Sequence, residues 1–339
     1  MNKKIGFCCK FKCASSIDPK QAIEIEKEFN TKTTTVTAIE KLSEKDMFKK
    51  LEPLVQHNLS STFKLLEYSA SLPKDLQMLR LSSEILPLRT HESTKKFWKN
   101  KNISNLIESE LNKIGVFAKN NEIRIGFHPG QFCVLNSNNS VTLKNSIEEF
   151  EYHVDLARMM GFSKWHENGF FINVHVGGKQ NGTEQLIKNL KLLSKEAINL
   201  ITIENDEYSF GVDECLRLKD HLALVLDIHH HWCKTGEYIQ PDDKRIDEIV
   251  ASWKGIRPLI HYSVSPEKMF ECEPNTLPNL SILKAQGFKI KDLRIHSKDY
   301  WNQAVNKWAY SFLDKFDIEL ECKNKNQASL KFLKEFKFI

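Results

Sequence analysis

Eight short apolar runs recur along the chain, separated by amphipathic stretches long enough to be helices. They are IGFCC (5–9), LQMLRL (76–81), IRIGF (123–127), FFINVHV (170–176), LITIE (200–204), LALVLDI (222–228), PLIHYSV (258–264) and FDIELEC (316–322). Their nearly continuous apolar character, rather than strict alternation, suits parallel strands covered on both faces. The helical patterns between them are clearest at 46–71, 101–118, 143–160, 183–197, 213–220 and 243–253. Strand–helix alternation repeated eight times predicts an α/β fold, the closed (β/α)8 TIM barrel. A doubly wound open sheet with a second domain is the rival. It is disfavoured because no Gly-rich phosphate loop follows the first run and no Pro/Gly linker divides the chain.

The 339 residues exceed the about 250 of a minimal barrel by roughly 90. The excess reads as long loops at the C-terminal face of the strands: 12–45 after the first, 82–100 after the second and 265–299 after the seventh. One domain, 1–339 with a core of about 4–325, is expected. Hydrophobic residues at 41% and charged residues at 27% exclude a disordered chain, and a net charge of +5 permits a polyanionic partner without demanding one. The eight cysteines, several inside apolar runs, read as reduced. Cys8, Cys9 and Cys13 sit close together, but no CxxC pair lies downstream to complete a zinc site, so an apolar first strand is favoured over zinc. Neither a signal-peptide core nor a run of the roughly 18 apolar residues of a membrane span is present in the sequence. A soluble, intracellular protein with no membrane association and no obligate protein partner is expected.

What ends the runs carries the chemistry. His128, His175, Glu204, Asp227, His261 and Glu321 each close a run, and His229, His230 and His231 follow the sixth. Barrel strand ends converge on one face. A single such residue is usually an ordinary polar contact, but the whole set gathers imidazoles and carboxylates without thiolates, a donor set for Zn²⁺ or Mn²⁺. Without cations the carboxylates would repel one another and raise their own pKa values. The donors suffice for two or three ions with Glu204 bridging. Such clusters serve in-line displacement at phosphorus by activating water and neutralising charge on the attacking and leaving oxygens. Phosphodiester hydrolysis is the favoured reaction and metal-dependent sugar isomerisation the runner-up.

HPGQF (128–132), NVHVGG (173–178), IENDE (203–207), LDIHHHW (226–232) and IHYS (260–263) resemble the ultraviolet damage endonucleases, relatives of endonuclease IV. The resemblance runs from Ile5 to about Lys325. It implies a barrel with a three-metal cluster, manganese first and zinc second, and no ATP. The implied activity is a nick in double-stranded DNA on the 5′ side of ultraviolet lesions, both cyclobutane pyrimidine dimers and 6-4 photoproducts. Carried over by position, His128, His175 and Glu204 would hold one ion, and Glu204, Asp227, His261 and Glu321 a second. His230 and His296 would hold the third; periodicity alone does not choose His230 over its neighbours. Glu204, His175, Asp227 and Glu321 are the residues expected to carry catalysis, and His91 matches another active-site histidine of the family. Abasic-site cleavage of the endonuclease IV type is the nearest alternative activity. A purely binding, non-catalytic damage-recognition module is disfavoured, because it has no use for carboxylates facing phosphate.

Gln131 and Phe132, just past His128, suit a wedge that fills the space vacated by bases leaving the stack. The family usually carries Tyr where this chain has Phe132; ordinary core is the plain alternative. Phe7 matches a family aromatic near the lesion. Lys95 and Lys96, with Lys99, Lys101, Phe97 and Trp98, and the group Lys289, Lys291, Arg294 and Lys298, are the candidate phosphate contacts, each equally able to be a solvated face. One departure stands out: Leu259 occupies the place of a modified lysine that approaches the metals in the family.

Overall fold

The computed structural model describes residues 3–177, 182–269 and 273–337. Gly178 of the NVHVGG motif and residues 270–272 of the third insertion lie outside the described residues. Each apolar run contains a strand: β1 (Ile5–Cys8), β2 (Met78–Arg80), β3 (Arg124–Phe127), β4 (Phe171–His175), β5 (Ile201–Glu204), β6 (Ala223–Asp227), β7 (Leu259–Tyr262) and β8 (Asp317–Leu320). They pair in parallel in chain order, and β8 closes on β1. The registers His175 opposite Glu204 and Asp227 opposite His261 set the strand-end residues at one height.

Along each strand the side chains alternate between two environments. Phe7, Leu79, Ile125, Ile203 and Ile260 belong to the main core between barrel and helices. The opposite parity fills the barrel, where Met78, Phe171, Ala223, Val225 and Leu259 form an apolar plug with Trp253. Beneath the plug, Asp317 pairs with Arg124 at 2.7 Å and with Arg257 at 2.7 Å, and Arg124 lies over the Trp253 ring. Gly126 leaves room for the plug: a Cβ there would lie 2.5 Å from the Phe171 ring.

Helices occupy the insertions as well as the connections. Residues 12–45, expected as loop, contain α1 (Pro19–Phe29) and α2 (Val36–Glu40). Asp18 caps α1 with Pro19 in its first turn, a start signal that a helix without a single buried residue makes easy to overlook. The long α3 (Glu44–Ser71) follows, then α4 (Lys95–Trp98), α5 (Lys101–Asn120) and α6 (Ser140–Met159). The helix expected at 183–197 is two, α7 (Gly182–Asn189) and α8 (Lys195–Leu200), because Leu193 is extended and Ser194 caps a new start by accepting from the Ala197 N–H. Next come α9 (Val212–Leu216), α10 (Ile228–Thr235) and α11 (Lys244–Ser252). The third insertion contains α12 (Leu280–Ala285) and α13 (Ile290–Leu293), and α14 (Gln303–Ser311) and α15 (Lys325–Lys337) flank β8. Among the described residues no helix is long and apolar enough to cross a membrane.

Gly126→Ala is expected to lower the unfolding free energy by about 1–3 kcal/mol through overpacking against Phe171. Denaturant titration of the variant beside the wild type checks this, and equal stabilities would show that the plug can yield.

Candidate metal centre

Glu204, at the end of β5 and 1% exposed, stands among four imidazoles. Its Oε2 lies 3.1 Å from His128 Nε2 and 3.9 Å from His175 Nε2, and also accepts from the Asn173 side-chain amide. Its Oε1 lies 3.1 Å from His261 Nδ1 and 3.5 Å from His230 Nδ1. Donor atoms of His128, His175 and Glu204 lie within 4.8 Å of one another, as do those of Glu204, Asp227 and His261. Both groups can hold a cation, and Glu204 belongs to each.

Asp227 ends β6 and is also the cap of α10, so its Oδ1 accepts the His230 N–H at 2.7 Å. The helix thereby begins at the barrel rim, and its first turn carries His230 back over the site with Nδ1 3.3 Å from Asp227 Oδ2. His229 turns to the Leu293 carbonyl and His231 to Glu237, so the fold selects the one histidine that periodicity could not. Glu321 sits beside this group with Oε1 3.8 Å from His261 Nδ1 and Oε2 3.8 Å from His296 Nε2. Its Oε1 also accepts from Arg80 at 2.6 Å. A cavity of about 540 Å³ opens above these residues.

The electrostatics show the cost of this crowding. Burial, with help from Glu204 and Glu321, pushes the Asp227 carboxyl up to about 8 against the pull of His230. Burial alone would lower His261, but Glu204, Glu319 and Glu321 around it raise it to about 10. Burial opposes ionisation of Glu204 too, yet His261 and His175 hold it well below the usual carboxylate range. The same balance holds Glu207 low, with His230 and Arg294 overcoming its burial. Asp227 Oδ2, His175 Nδ1 and both ring nitrogens of His261 are buried without a well-directed hydrogen bond. Orphaned polar atoms of this kind point to an absent partner. The donor set therefore fits divalent cations.

Other expected site residues fall elsewhere. Phe7 is 1% exposed and packs edge-on against Tyr68 in the core outside the barrel, so it does not face the rim. The parity of β1 sends Gly6 and Cys8 inward and Phe7 outward. His91 caps a short turn through Ser93 and lines a separate cavity of about 820 Å³, also lined by Lys95 and Phe132. Gly130 borders both cavities. Phe132 is 84% exposed, which rules out core packing, and Gln131 beside it is exposed too. Lys95 and Lys96 are ion-paired at the surface with Glu92 and Glu44, while Phe97 and Trp98 between barrel and helices are core.

Cys8, Cys9 and Cys13 do not converge: their thiols meet Glu319, the Leu81 carbonyl and the Ala22 carbonyl. Cys8 does share a donor group with Glu319 and Glu321, but burial pushes its thiol well up, which disfavours the thiolate a metal needs. Glu319, Arg80, Asn173 and Glu207 were not singled out by sequence. Glu319 had one signal available, since it shares the inward parity of Glu321.

A family sequence model described as UV-endonuclease UvdE matches residues 20–339. The UV DNA damage endonuclease of Halalkalibacterium halodurans is 35% identical over 217 residues, 62% of this chain and 64% of that relative. The UV DNA damage endonuclease of Bacillus cereus (strain G9842) is 29% identical over 318 residues, 91% of this chain and 90% of the relative. Among solved structures, the crystal structure of SacUVDE superposes with a TM-score of 0.73 at 26% identity, covering 99% of both chains. Endonuclease IV from Thermus thermophilus gives a TM-score of 0.51 at 12% identity over 81% of this chain and 92% of its own, a likeness of fold.

Between its ordinary value of 3.8 and about 8, the Asp227 carboxyl keeps in the folded, metal-free protein a proton that the unfolded chain has released. Stability from this group is therefore lost as pH rises through that window. Asp227→Asn removes the loss. In thermal melts with chelator, the midpoint of the variant is expected to gain on the wild type between about pH 5 and pH 8; a constant gap would refute the burial argument.

Proposed function

Because the chain belongs to the UV-endonuclease UvdE family, we propose that this endonuclease is a metal-dependent DNA repair enzyme that nicks duplex DNA 5′ to cyclobutane pyrimidine dimers and 6-4 photoproducts. The observation that carries the reading is Glu204, whose two carboxylate oxygens each face two imidazoles. His128, His175 and Glu204 would hold one ion, and Glu204, Asp227, His261 and Glu321 a second. His230 and His296 would hold a third, with manganese the preferred metal and zinc the alternative. Bound there, such ions activate water at neutral pH and neutralise charge on the attacking and leaving phosphate oxygens.

The residues of the chain supply position and charge. Glu204 keeps its charge despite burial, so it can bridge without first losing a proton. The orphaned Nδ1 of His261 and the free oxygen of Asp227 would gain partners. Gln131 and Phe132 project from the loop after His128 with nothing covering the ring. That suits entry into a damaged stack, where unpaired space lowers the cost of unstacking. Across Gly130, His91 and Lys95 would meet the substrate in the neighbouring cavity, and Lys96 and the exposed Lys289, Lys291 and Lys298 would steer the backbone.

Ultraviolet-irradiated supercoiled plasmid, untreated plasmid and an abasic-site duplex, each with Mn²⁺ or with chelator, test the proposal. Nicking of irradiated plasmid, lost with chelator, is expected. Cutting of abasic duplex alone would assign the endonuclease IV type of activity instead, and no cutting of any substrate would overturn both. Glu204→Ala is expected to abolish nicking, since it removes a ligand common to two ions; retained nicking would refute the bridge. Phe132→Ala is expected to lower kcat/KM on irradiated DNA by about 10–100-fold, the scale of one lost base-stacking contact, with no change in thermal midpoint.

A further inference from the structure

Two of the imidazoles around Glu204 have their second ring nitrogen turned toward another buried carboxylate. His261 faces Glu204 with Nδ1 and, on its far side, has Nε2 3.4 Å from Glu319 Oε1. His230 faces Glu204, Asp227 and the Asn205 carbonyl with Nδ1 and has Nε2 3.8 Å from Glu207 Oε2, an ion-pair separation. Each of these outer carboxylates is held in turn by an arginine. Arg80 Nη1 lies 2.7 Å from Glu319 Oε1, and Arg294 Nη1 lies 2.7 Å from Glu207 Oε1. The same order, arginine, glutamate, histidine, is thus built twice from different strands and loops.

Stability does not account for it. Glu319 is 0% exposed and Glu207 4%, and burying an ion pair costs as much desolvation as it returns, so apolar side chains of similar volume would serve the fold as well. Metal-binding histidines, by contrast, commonly donate their other N–H to a carboxylate, which fixes the tautomer and ring orientation.

We propose that Glu319 with Arg80, and Glu207 with Arg294, are positioning pairs that orient His261 and His230, with His261 fixed as the Nε2–H tautomer and its Nδ1 presented to the metal centre. The proposal rests on the metal reading above and adds to it residues that hold ligands without themselves being ligands. Arginine turns each glutamate into an acceptor of fixed direction and keeps it from swinging inward to compete for the ion. The two pairs differ in exposure. The Arg80 side chain is 12% exposed and lies inside the barrel, whereas that of Arg294 is 47% exposed at the rim over the Tyr208 ring. Variants of the outer pair are therefore less exposed to folding failure than those of the inner one.

The test uses the full chain, stripped of metal and reloaded. With ¹⁵N-labelled histidine and Zn²⁺ as a diamagnetic probe, His261 is expected as the Nε2–H tautomer bound through Nδ1; binding through Nε2 would overturn its pairing with Glu319. Calorimetric titration with Mn²⁺ is expected to show Glu207→Leu and Glu319→Leu each weakening binding by about 10–100-fold, and the Gln variants recovering part of the loss. If Glu319→Leu fails to fold, Glu207→Leu decides. Wild-type affinity in a folded Leu variant would overturn that pair's role. A wild type that takes up neither Mn²⁺ nor Zn²⁺ would instead sink the metal reading, which separates the two failures.

Discussion

Glu204, Asp227, Glu319 and Glu321 share one end of a closed barrel, and every one of them is under a tenth exposed. Like charges this close, out of water, cannot all stay ionised without compensation. Much of the upper barrel can be understood as that compensation. Arg80 neutralises Glu319 and Glu321 from below, and His128, His175, His230 and His261 surround Glu204. Even so the balance is incomplete: Asp227 and His261 are driven toward their protonated forms, and buried donor atoms stay without partners. Protons bound at Asp227 and His261 stand where divalent charge would relieve the same strain.

This crowding also explains why the barrel interior is layered. The plug of Met78, Phe171, Val225, Leu259 and Trp253 separates the carboxylate end from the Asp317 pair at the other end. Two buried charged layers in direct contact would offer each carboxylate a choice of arginines. An apolar floor removes the choice, so Arg80 is left to Glu319 and Glu321. Rigidity here serves placement, since the strand ends can hold donors in register only if the strands beneath cannot slide.

The strands were legible because two signals coincide: apolar runs of strand length, and a polar residue at the C-terminal end of six of them. His128, His175, Glu204, Asp227, His261 and Glu321 all reach the rim for that reason. What stayed hidden depends on directions that a linear pattern does not hold. His230 is selected by the cap that starts α10 at Asp227, and Phe7 is turned outward by the parity of β1. Glu319 lies one strand step below Glu321 and, read alone, is a carboxylate inside an apolar run. Its meaning comes from Arg80, 239 positions away in sequence and 2.7 Å away in space. The helices α1 and α2 are short and lie in the first insertion; α1 buries none of its residues and α2 buries Ile39 alone.

Leu259 bears on how such a centre is charged. At this position, below His261 on β7, the ultraviolet damage endonucleases that the chain resembles often carry a modified lysine. Here the side chain is 0% exposed and belongs to the apolar plug, so no charged group can rise from that point toward the donors. The nearest charged groups beneath the donors are then Arg80 and Glu319, which reach the same layer from β2 and β8. A lysine-borne carboxylate would add negative charge directly to the ligand set. A carboxylate pinned by arginine adds almost none, and acts instead through the imidazole it faces. Arg80 also lies 2.6 Å from Glu321, so the uncompensated negative charge at the barrel mouth rests on Glu204 and Asp227, and Asp227 is the one of the two pushed toward neutrality.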